Sequence, residues 1–181
     1  MRLLTRRGIL AAAGTLASAP LARKPLAANG LPNAELKALN PPEAAPDIVF
    51  LLADGTERTL KDFRGHGMVL NFWATWCAPC VAEMPALATL SRTLAPHDIA
   101  VMPLSSDRGG AAVVRRFYEA QSISGLPVLL DPKGAASRKF DLSGIPSTII
   151  IDKQGRMAAR LDGAADWSSP AIAARIKQLV G

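Results

Sequence analysis

The chain has 181 residues, of which 49% are hydrophobic, and this is enough for one α/β domain with a buried core plus an extension. The formal net charge of +6 falls mainly on the first 28 residues, which carry five basic side chains and no acidic one. The remaining residues have 16 basic and 15 acidic side chains, and this balance argues against a nucleic-acid-binding domain.

Residues 1–28 are predicted to be an export signal. A basic start precedes a mostly apolar run at residues 9–22, which is shorter than the ~20 residues that a membrane-spanning helix needs. The stretch Thr5-Arg6-Arg7-Gly8-Ile9-Leu10 resembles the twin-arginine export motif. An ordinary secretory signal and an uncleaved N-terminal anchor are the alternatives. In each case we expect the rest of the chain to lie outside the cytoplasm, in the periplasm.

Residues 29–46 are predicted to form a linker, because four prolines and scattered polar residues interrupt any apolar pattern. A short helical piece is expected at most at residues 34–39. The folded domain is then predicted to span residues 47–181. It begins with a β-hairpin, in which strands at 47–52 and 58–60 flank the turn-forming pair Asp54-Gly55.

An apolar run at residues 68–74 predicts a buried strand. Apolar residues at helical spacing then predict a helix from Cys77 to about residue 95, bent at Pro85. The remaining elements are predicted as strands at 99–104, 128–130, 147–151 and 157–161, and as helices at 109–121, 135–140 and from Ser168 or Ser169 to 179. This alternation of strands and helices indicates an α/β fold.

Cys77 and Cys80 are the only cysteines in the chain, and their spacing places both on the first turn of the predicted helix. Unpaired backbone N–H groups and the positive end of the helix dipole stabilise a thiolate there, so the pKa of Cys77 is expected to fall. Pro79 suits the first turn, which needs no backbone donor. Two such thiols are suited to reversible disulfide exchange, with Cys77 as the attacking thiol and Cys80 as the resolving thiol.

Other uses of the two cysteines fit the sequence less well. Structural zinc needs four ligands, and only His66 and His97 could complete the set. Haem attachment needs a histidine directly after the second cysteine, where Val81 stands. A purely structural disulfide over so short a loop would restrict the unfolded chain very little. We therefore expect no metal and no other cofactor in the site.

The stretch Phe72-Trp73-Ala74-x-Trp76-Cys77-x-Pro79-Cys80 resembles the active-site sequence of thioredoxin-fold proteins. Glu83-Met84-Pro85 narrows the resemblance to their TlpA/ResA-like branch, which consists of exported thiol:disulfide oxidoreductases. The resemblance extends from about residue 45 to the C-terminus. It implies a thioredoxin fold, in which helices flank a central mixed sheet, with an added N-terminal β-hairpin and a central insertion.

The resemblance also implies roles for residues around the two cysteines. Pro146 is expected to form a cis peptide bond and to face the disulfide, with Ile145 offering backbone hydrogen bonds to an extended substrate. Trp76 and Pro79 are expected to form part of the surface that binds the substrate. Trp73 is expected to pack in the core.

Glu83 lies three residues after Cys80, which places both on one face of the predicted helix. The resemblance implies that this carboxyl group lies beside the dithiol, tunes its pKa and takes part in catalysis. An exposed acid, favoured simply by the helix dipole, is the alternative. Asn71 is a departure from thioredoxin itself, which has a buried acid in this strand position. An amide cannot accept the proton of Cys80 as a carboxylate can, so proton transfer is expected to fall to Glu83 or to water.

By resemblance, the chain is expected to be an enzyme that reduces disulfides of exported proteins through Cys77 and Cys80. Its expected substrates are the haem-binding cysteines of apocytochrome c or the copper-site cysteines of an oxidase assembly factor. A membrane thiol–disulfide protein is the expected electron donor, and the chain is expected to be a monomer. The alternative is a periplasmic carrier that holds Cu(I) between the two cysteines, with His66-Gly67-Met68 as nearby candidate ligands. A peroxidase is a weaker alternative, because two cysteines fit dithiol exchange better than peroxidase chemistry at one cysteine.

Overall fold

The computed structural model describes residues 34–181. The predicted export signal at residues 1–28 and the first part of the predicted linker lie outside this part of the chain. The described strands are β1 (Lys37–Ala44), β2 (Val49–Leu52), β3 (Glu57–Thr59), β4 (Gly67–Trp73), β5 (Ile99–Ser105), β6 (Leu129–Leu130), β7 (Ser147–Ile151) and β8 (Arg156–Asp162). The helices are α1 (Ala78–Leu94), α2 (Gly110–Ala120), α3 (Ala135–Lys139) and α4 (Pro170–Val180), with short 3-10 segments at Leu60–Phe63 and Ala95–His97.

The described strands join one mixed sheet in the order β1-β8-β7-β4-β5-β6-β2-β3. The central strand, β4, runs parallel to β5 and antiparallel to β7. Every residue of β4 is buried, as expected for a strand that is covered on both faces. The sheet and its flanking helices confirm the predicted thioredoxin-like α/β fold, and β2 with β3 forms its N-terminal hairpin.

The side chains of β4 alternate between two hydrophobic cores on opposite faces of the sheet. Val69 and Trp73 belong to the core that α1, α2 and α4 cover, whereas Phe72 belongs to the core on the side of α3. Trp73 stacks on Tyr118 of α2 with 5.9 Å between the ring centroids, which is the packing role expected from the sequence. Asn71 lies between Val69 and Trp73 in this alternation, so its side chain is directed towards α1.

The structure corrects the prediction for residues 34–39, which do not form a helical piece. Lys37–Ala44 is strand β1, which pairs antiparallel with β8 at the edge of the sheet. Pro41 and Pro42 lack backbone donors, which makes the segment unsuited to a helix interior but tolerated in an edge strand. The pairing is interrupted between Ala38 and Glu43, where the register shifts. Part of the predicted linker therefore belongs to the sheet.

The other predicted elements begin and end within two residues of their observed positions. Helix α1 continues through Pro85. Strand β6 and helix α3 lie between α2 and β7, in the predicted central insertion. None of the helices in residues 34–181 combines the length and the apolar character that a membrane span requires.

Candidate active site

The two cysteines lie where β4 leads into α1, at the edge of the sheet where the parallel strands β4 and β5 have their carboxyl ends. Ligand and substrate sites of α/β proteins commonly form at this edge. Cys77 and Cys80 form a disulfide, with 5.2 Å between their Cα atoms. Cys77 is the N-cap residue of α1, and Pro79 lies in the first turn. The structure therefore describes the oxidised state of the pair.

The two sulfur atoms differ in their surroundings. Cys80 is fully buried, whereas Cys77 keeps 6% of its surface exposed and Trp76 beside it is 69% exposed. The backbone N–H of Cys80 lies 3.4 Å from Cys77 Sγ and donates to it. Donors at a helix N-terminus stabilise negative charge on sulfur. Cys77 thus carries the more accessible of the two sulfur atoms, and a backbone N–H at the start of α1 points towards it.

The loop before β7 faces the disulfide from the other side. Its Ile145–Pro146 peptide bond is cis, and the carbonyl oxygen of Ile145 lies 3.7 Å from Cys77 Sγ. The loop is held by the backbone N–H of Gly163, which donates to the carbonyl oxygen of Pro146 at 2.9 Å. Ile145 and Pro146 therefore border the more accessible sulfur.

Glu83 is buried, with 1% of its surface exposed, so it is not a solvated acid of the first helical turns. Its Oε1 accepts a hydrogen bond from Asn71 Nδ2 at 3.1 Å, and its Oε2 accepts one from Ala165 N at 3.2 Å. Asn71 Nδ2 also donates to Thr148 Oγ1 at 3.0 Å. The carboxyl group thus links α1 to the central strand and to the segment between β8 and α4.

Burial penalises the charged form of Glu83 and raises its pKa from an ordinary value of 4.5 to about 7. The hydrogen bonds from Ala165 N and the Asn71 side chain act in the opposite sense, but burial has the larger effect. A carboxyl group that titrates near neutral pH can both accept and return a proton. Glu83 lies one turn after Cys80 on α1, and both residues are buried.

Three groups at the site have no counterpart in the sequence analysis: the Thr148 hydroxyl, the Asp107 carboxylate and the Ala165 backbone N–H. A usable signal existed for Asp107, because it is a polar residue just after the carboxyl end of β5. Thr148 is the second residue of β7, which runs antiparallel to β4, so its place beside Asn71 depends on the pairing of the two strands. Ala165 acts through its backbone, which no residue pattern marks.

The structure does not bring the histidine and methionine of the copper alternative to the cysteines. His66 directly precedes β4 and Cys77 follows its other end, with the seven residues of β4 between them. A strand of that length spans roughly 20 Å. Met68 is fully buried within β4. Across residues 34–181, His, Cys, Asp and Glu side chains form no group of three or more that could hold a metal ion.

Comparison with known proteins shows similarity across the site. A model of the AhpC/TSA family matches residues 41–160, a range that contains both cysteines, Glu83 and Pro146. The chain is 32% identical over 119 residues to the thiol-disulfide oxidoreductase ResA of Bacillus thuringiensis subsp. konkukian (strain 97-27). This similarity covers 66% of the chain and 68% of that ResA protein.

Two solved structures are similar in both fold and sequence. The crystal structure assigned as thiol:disulfide interchange protein DsbE from Chlorobium tepidum has a TM-score of 0.64 and 25% identity, and the match covers 81% of this chain and 96% of that one. The pneumococcal exposed lipoprotein thioredoxin Etrx1 from Streptococcus pneumoniae strain TIGR4 has a TM-score of 0.61 and 26% identity. That match covers 74% of this chain and 99% of the other.

The burial of Glu83 predicts a pH dependence of stability in the oxidised protein, where the two cysteines do not titrate. Its pKa is about 7 in the folded state and near 4.5 in the unfolded chain, so the folded state binds the proton more tightly. The stabilising contribution of protonated Glu83 is fully present below the unfolded pKa and is lost as pH rises through the folded pKa. Relative to Glu83→Gln, we expect the wild-type free energy of unfolding to fall by about 3 kcal/mol over this window.

Urea unfolding of both proteins at a series of pH values across the window from 4.5 to 7 measures this difference. Glu119→Gln, which removes an exposed carboxyl group from α2, is the matched control and should follow the wild type. Parallel curves for the wild type and Glu83→Gln would show that the carboxyl group is not withdrawn from water in solution.

Proposed function

The chain belongs to the AhpC/TSA family and is a ResA-like thiol-disulfide oxidoreductase, and from this premise we propose that it reduces disulfides of exported proteins. One observation carries the proposal, which is the difference between the two sulfur atoms. Cys77 caps α1 and keeps an accessible surface, while Cys80 is fully buried. The accessible sulfur meets the substrate, and the buried one completes the reaction.

In the proposed reaction, the Cys77 thiolate attacks one sulfur of a substrate disulfide. A mixed disulfide forms, and the other substrate sulfur leaves as a thiolate. The Cys80 thiolate then attacks Cys77 Sγ, and the first substrate sulfur leaves in turn. The substrate gains two electrons and two protons and becomes a dithiol, and the protein ends with the Cys77–Cys80 disulfide. A thiol donor must then reduce this disulfide before the next turnover.

Glu83 is proposed to move the proton of the second step. Its side chain is buried on the same side of α1 as Cys80, and burial raises its pKa to about 7. Near neutral pH, a substantial fraction of Glu83 is charged and can take the Cys80 proton as that thiol attacks. Asn71, which donates to Glu83 Oε1, cannot accept that proton as a carboxylate can.

We propose that a substrate segment binds, beside its disulfide, to the surface formed by Trp76, Pro79, Ile145 and Pro146. The Trp76 ring, which is 69% exposed, offers apolar contact area next to Cys77. The Ile145 carbonyl oxygen borders the same sulfur at 3.7 Å and can accept a hydrogen bond from an extended backbone. These contacts depend on the backbone and on the general apolar character of a substrate segment. They can therefore bind more than one substrate sequence.

The protein is further proposed to act outside the cytoplasm, as a monomer that receives electrons from a membrane thiol–disulfide protein. Support comes from the predicted export signal at residues 1–28 and from the similarity to Etrx1, which is described as an exposed lipoprotein. Disulfides form and persist in such compartments. The haem-binding cysteines of apocytochrome c and the copper-site cysteines of an oxidase assembly factor are the proposed substrates, since each must be reduced to bind its cofactor.

The proposed order of attack predicts which variant captures substrates. Cys80→Ser should accumulate mixed disulfides with substrate proteins, because no resolving thiol remains to release them. Cys77→Ser is the matched control and should capture few or none. Non-reducing electrophoresis detects the complexes, and mass spectrometry of the captured proteins shows whether their cysteines belong to haem or copper sites. Equal capture by both variants would contradict the assignment of Cys77 as the attacking thiol.

The proposed direction predicts the reduction potential of the Cys77/Cys80 couple. A reductase should have a potential of about −200 mV or lower, towards the thioredoxin value of about −270 mV. Equilibration of the purified protein with glutathione or dithiothreitol buffers measures it. A potential near the roughly −120 mV of a strong oxidant would indicate that the protein forms disulfides instead.

The proposed export route predicts the behaviour of the N-terminal segment. A fusion of residues 1–28 to a reporter protein should reach the periplasm. The double change Arg6→Lys with Arg7→Lys should stop export of the fusion, because the twin-arginine route recognises the arginine pair. Arg2→Lys makes the same chemical change outside the pair and should leave export unchanged. Normal export of the double variant would indicate an ordinary secretory signal.

A further inference from the structure

We infer that Asp107 is a positioning residue for Cys77, because its carboxylate holds residues 74–76, the connection between β4 and the cysteine. This inference rests on the proposed role of Cys77 as the attacking thiol. Asp107 lies two residues after the end of β5 and is only 4% exposed. Since β4 and β5 are parallel neighbours, the carboxylate lies at the same edge of the sheet as the connection.

Both carboxylate oxygens of Asp107 bind Thr75, in the middle of the connection. Oδ2 accepts a hydrogen bond from the Thr75 backbone N–H at 2.9 Å, and Oδ1 accepts one from Thr75 Oγ1 at 2.7 Å. Hydrogen bonds to a carboxylate are shorter and stronger than those between neutral groups. Two such bonds from one residue fix the orientation of Thr75 as well as its position.

Asp107 is itself fixed to the end of β5. Ser105 Oγ donates to Asp107 Oδ2 at 2.8 Å and accepts a hydrogen bond from the Asp107 backbone N–H at 3.0 Å. The backbone N–H of Ser106 donates to the carbonyl oxygen of Trp73 at 2.9 Å, which joins the ends of β5 and β4 directly. The connection is therefore anchored to the ends of β4 and β5, the two middle strands of the sheet.

Two ordinary structural roles do not explain this carboxylate. An acid just before a helix often caps it, but no side chain caps α2, whose N-cap residue is Gly109. The ion pairs within residues 34–181 do not include Asp107 either. Burial of a carboxylate is costly unless hydrogen bonds compensate for the lost water. Here the compensating bonds come from Thr75, and from Ser105, which fixes the carboxylate in place.

Ala74 is fully buried in the core that α1, α2 and α4 cover, so the part of the connection that the core does not hold begins at Thr75. Trp76, between Thr75 and Cys77, is 69% exposed and belongs to neither core of the described residues. The backbone N–H of Cys77 donates to the Ala74 carbonyl oxygen at 3.1 Å, which closes a tight turn around Thr75. Without the Asp107 contacts this turn can move, and Cys77 moves with it. A sulfur that leaves the start of α1 loses the stabilisation that the helix gives its thiolate.

The test compares Asp107→Ala with Asp107→Asn in a Cys80→Ser background, where Cys77 is the single thiol. Asparagine can accept from Thr75 N through Oδ1 and donate to Thr75 Oγ1 through Nδ2, so it retains the contacts without the charge. Alanine removes the contacts and the charge together. The rate of Cys77 alkylation is measured against pH in both variants. Because both lack the charge, a difference between them reports the contacts.

We expect Cys77 to titrate at a higher pH in Asp107→Ala than in Asp107→Asn. At neutral pH it should react about threefold more slowly, because part of the helix-dipole stabilisation of the thiolate is lost. A residue that merely stabilised the fold would lower the thermal stability without moving the titration. Identical titration curves in the two variants would therefore refute the inference.

A second pair of variants serves if Asp107→Ala does not fold. Thr75→Val removes the hydroxyl donor at nearly constant volume, whereas Thr75→Ser retains it. In the same Cys80→Ser background, the inference predicts slower alkylation of Cys77 in Thr75→Val and an unchanged rate in Thr75→Ser. Equal rates in the two variants refute it. Alkylation follows Cys77 itself, so the result is independent of substrate capture. Capture by Cys77→Ser would overturn the attacking role of Cys77 without affecting this measurement.

Discussion

Helix α1 carries the carboxyl group of Glu83 into the interior of the protein, and hydrogen bonds from the surrounding structure partly compensate for its burial. Asn71 on the central strand donates to one oxygen, and the Ala165 backbone on the segment before α4 donates to the other. A buried polar group that loses its partners costs free energy, so movements of α1 that break these bonds are unfavourable. The orientation of the helix, and of the disulfide at its start, is thereby tied to the sheet.

The same helix acts on the two cysteines through opposing electrostatic effects. Its N-terminus stabilises a thiolate on Cys77, which favours the reduced form of the pair. In the proposed mechanism, a charged Glu83 disfavours a second negative charge on the dithiol and so acts in the opposite sense. Because the fraction of charged Glu83 depends on its burial, this proposal links the packing of α1 against β4 to the redox chemistry at the helix start. The Cys-x-x-Cys spacing supplies the reaction, and the neighbouring polar groups adjust its energetics.

Features that depend only on neighbouring residues could be predicted from the amino-acid sequence. The spacing of Cys77 and Cys80, with Pro79 between them, placed a dithiol at a helix start because first-turn chemistry is local. The apolar run of β4 predicted a buried strand for the same reason. Short-range patterns of this kind were sufficient to predict nearly all helices and strands from residue 47 onward. The alternation of those elements was sufficient to predict the α/β fold class.

Which polar groups contact one another depends on tertiary packing and could not be predicted in this way. Glu83 and Ala165 are 82 residues apart in the chain, and Thr75 and Asp107 are 32 apart, so their contacts depend on how helices and strands pack. The raised pKa of Glu83 exists only because packing removes its carboxyl group from water. Strand β1 shows the same limit, since its mostly exposed sequence carries no strand pattern and it gains its hydrogen bonds from the edge of β8. The start of a helix or a buried strand depends on a short segment of sequence, whereas burial and long-range pairing depend on the assembled fold.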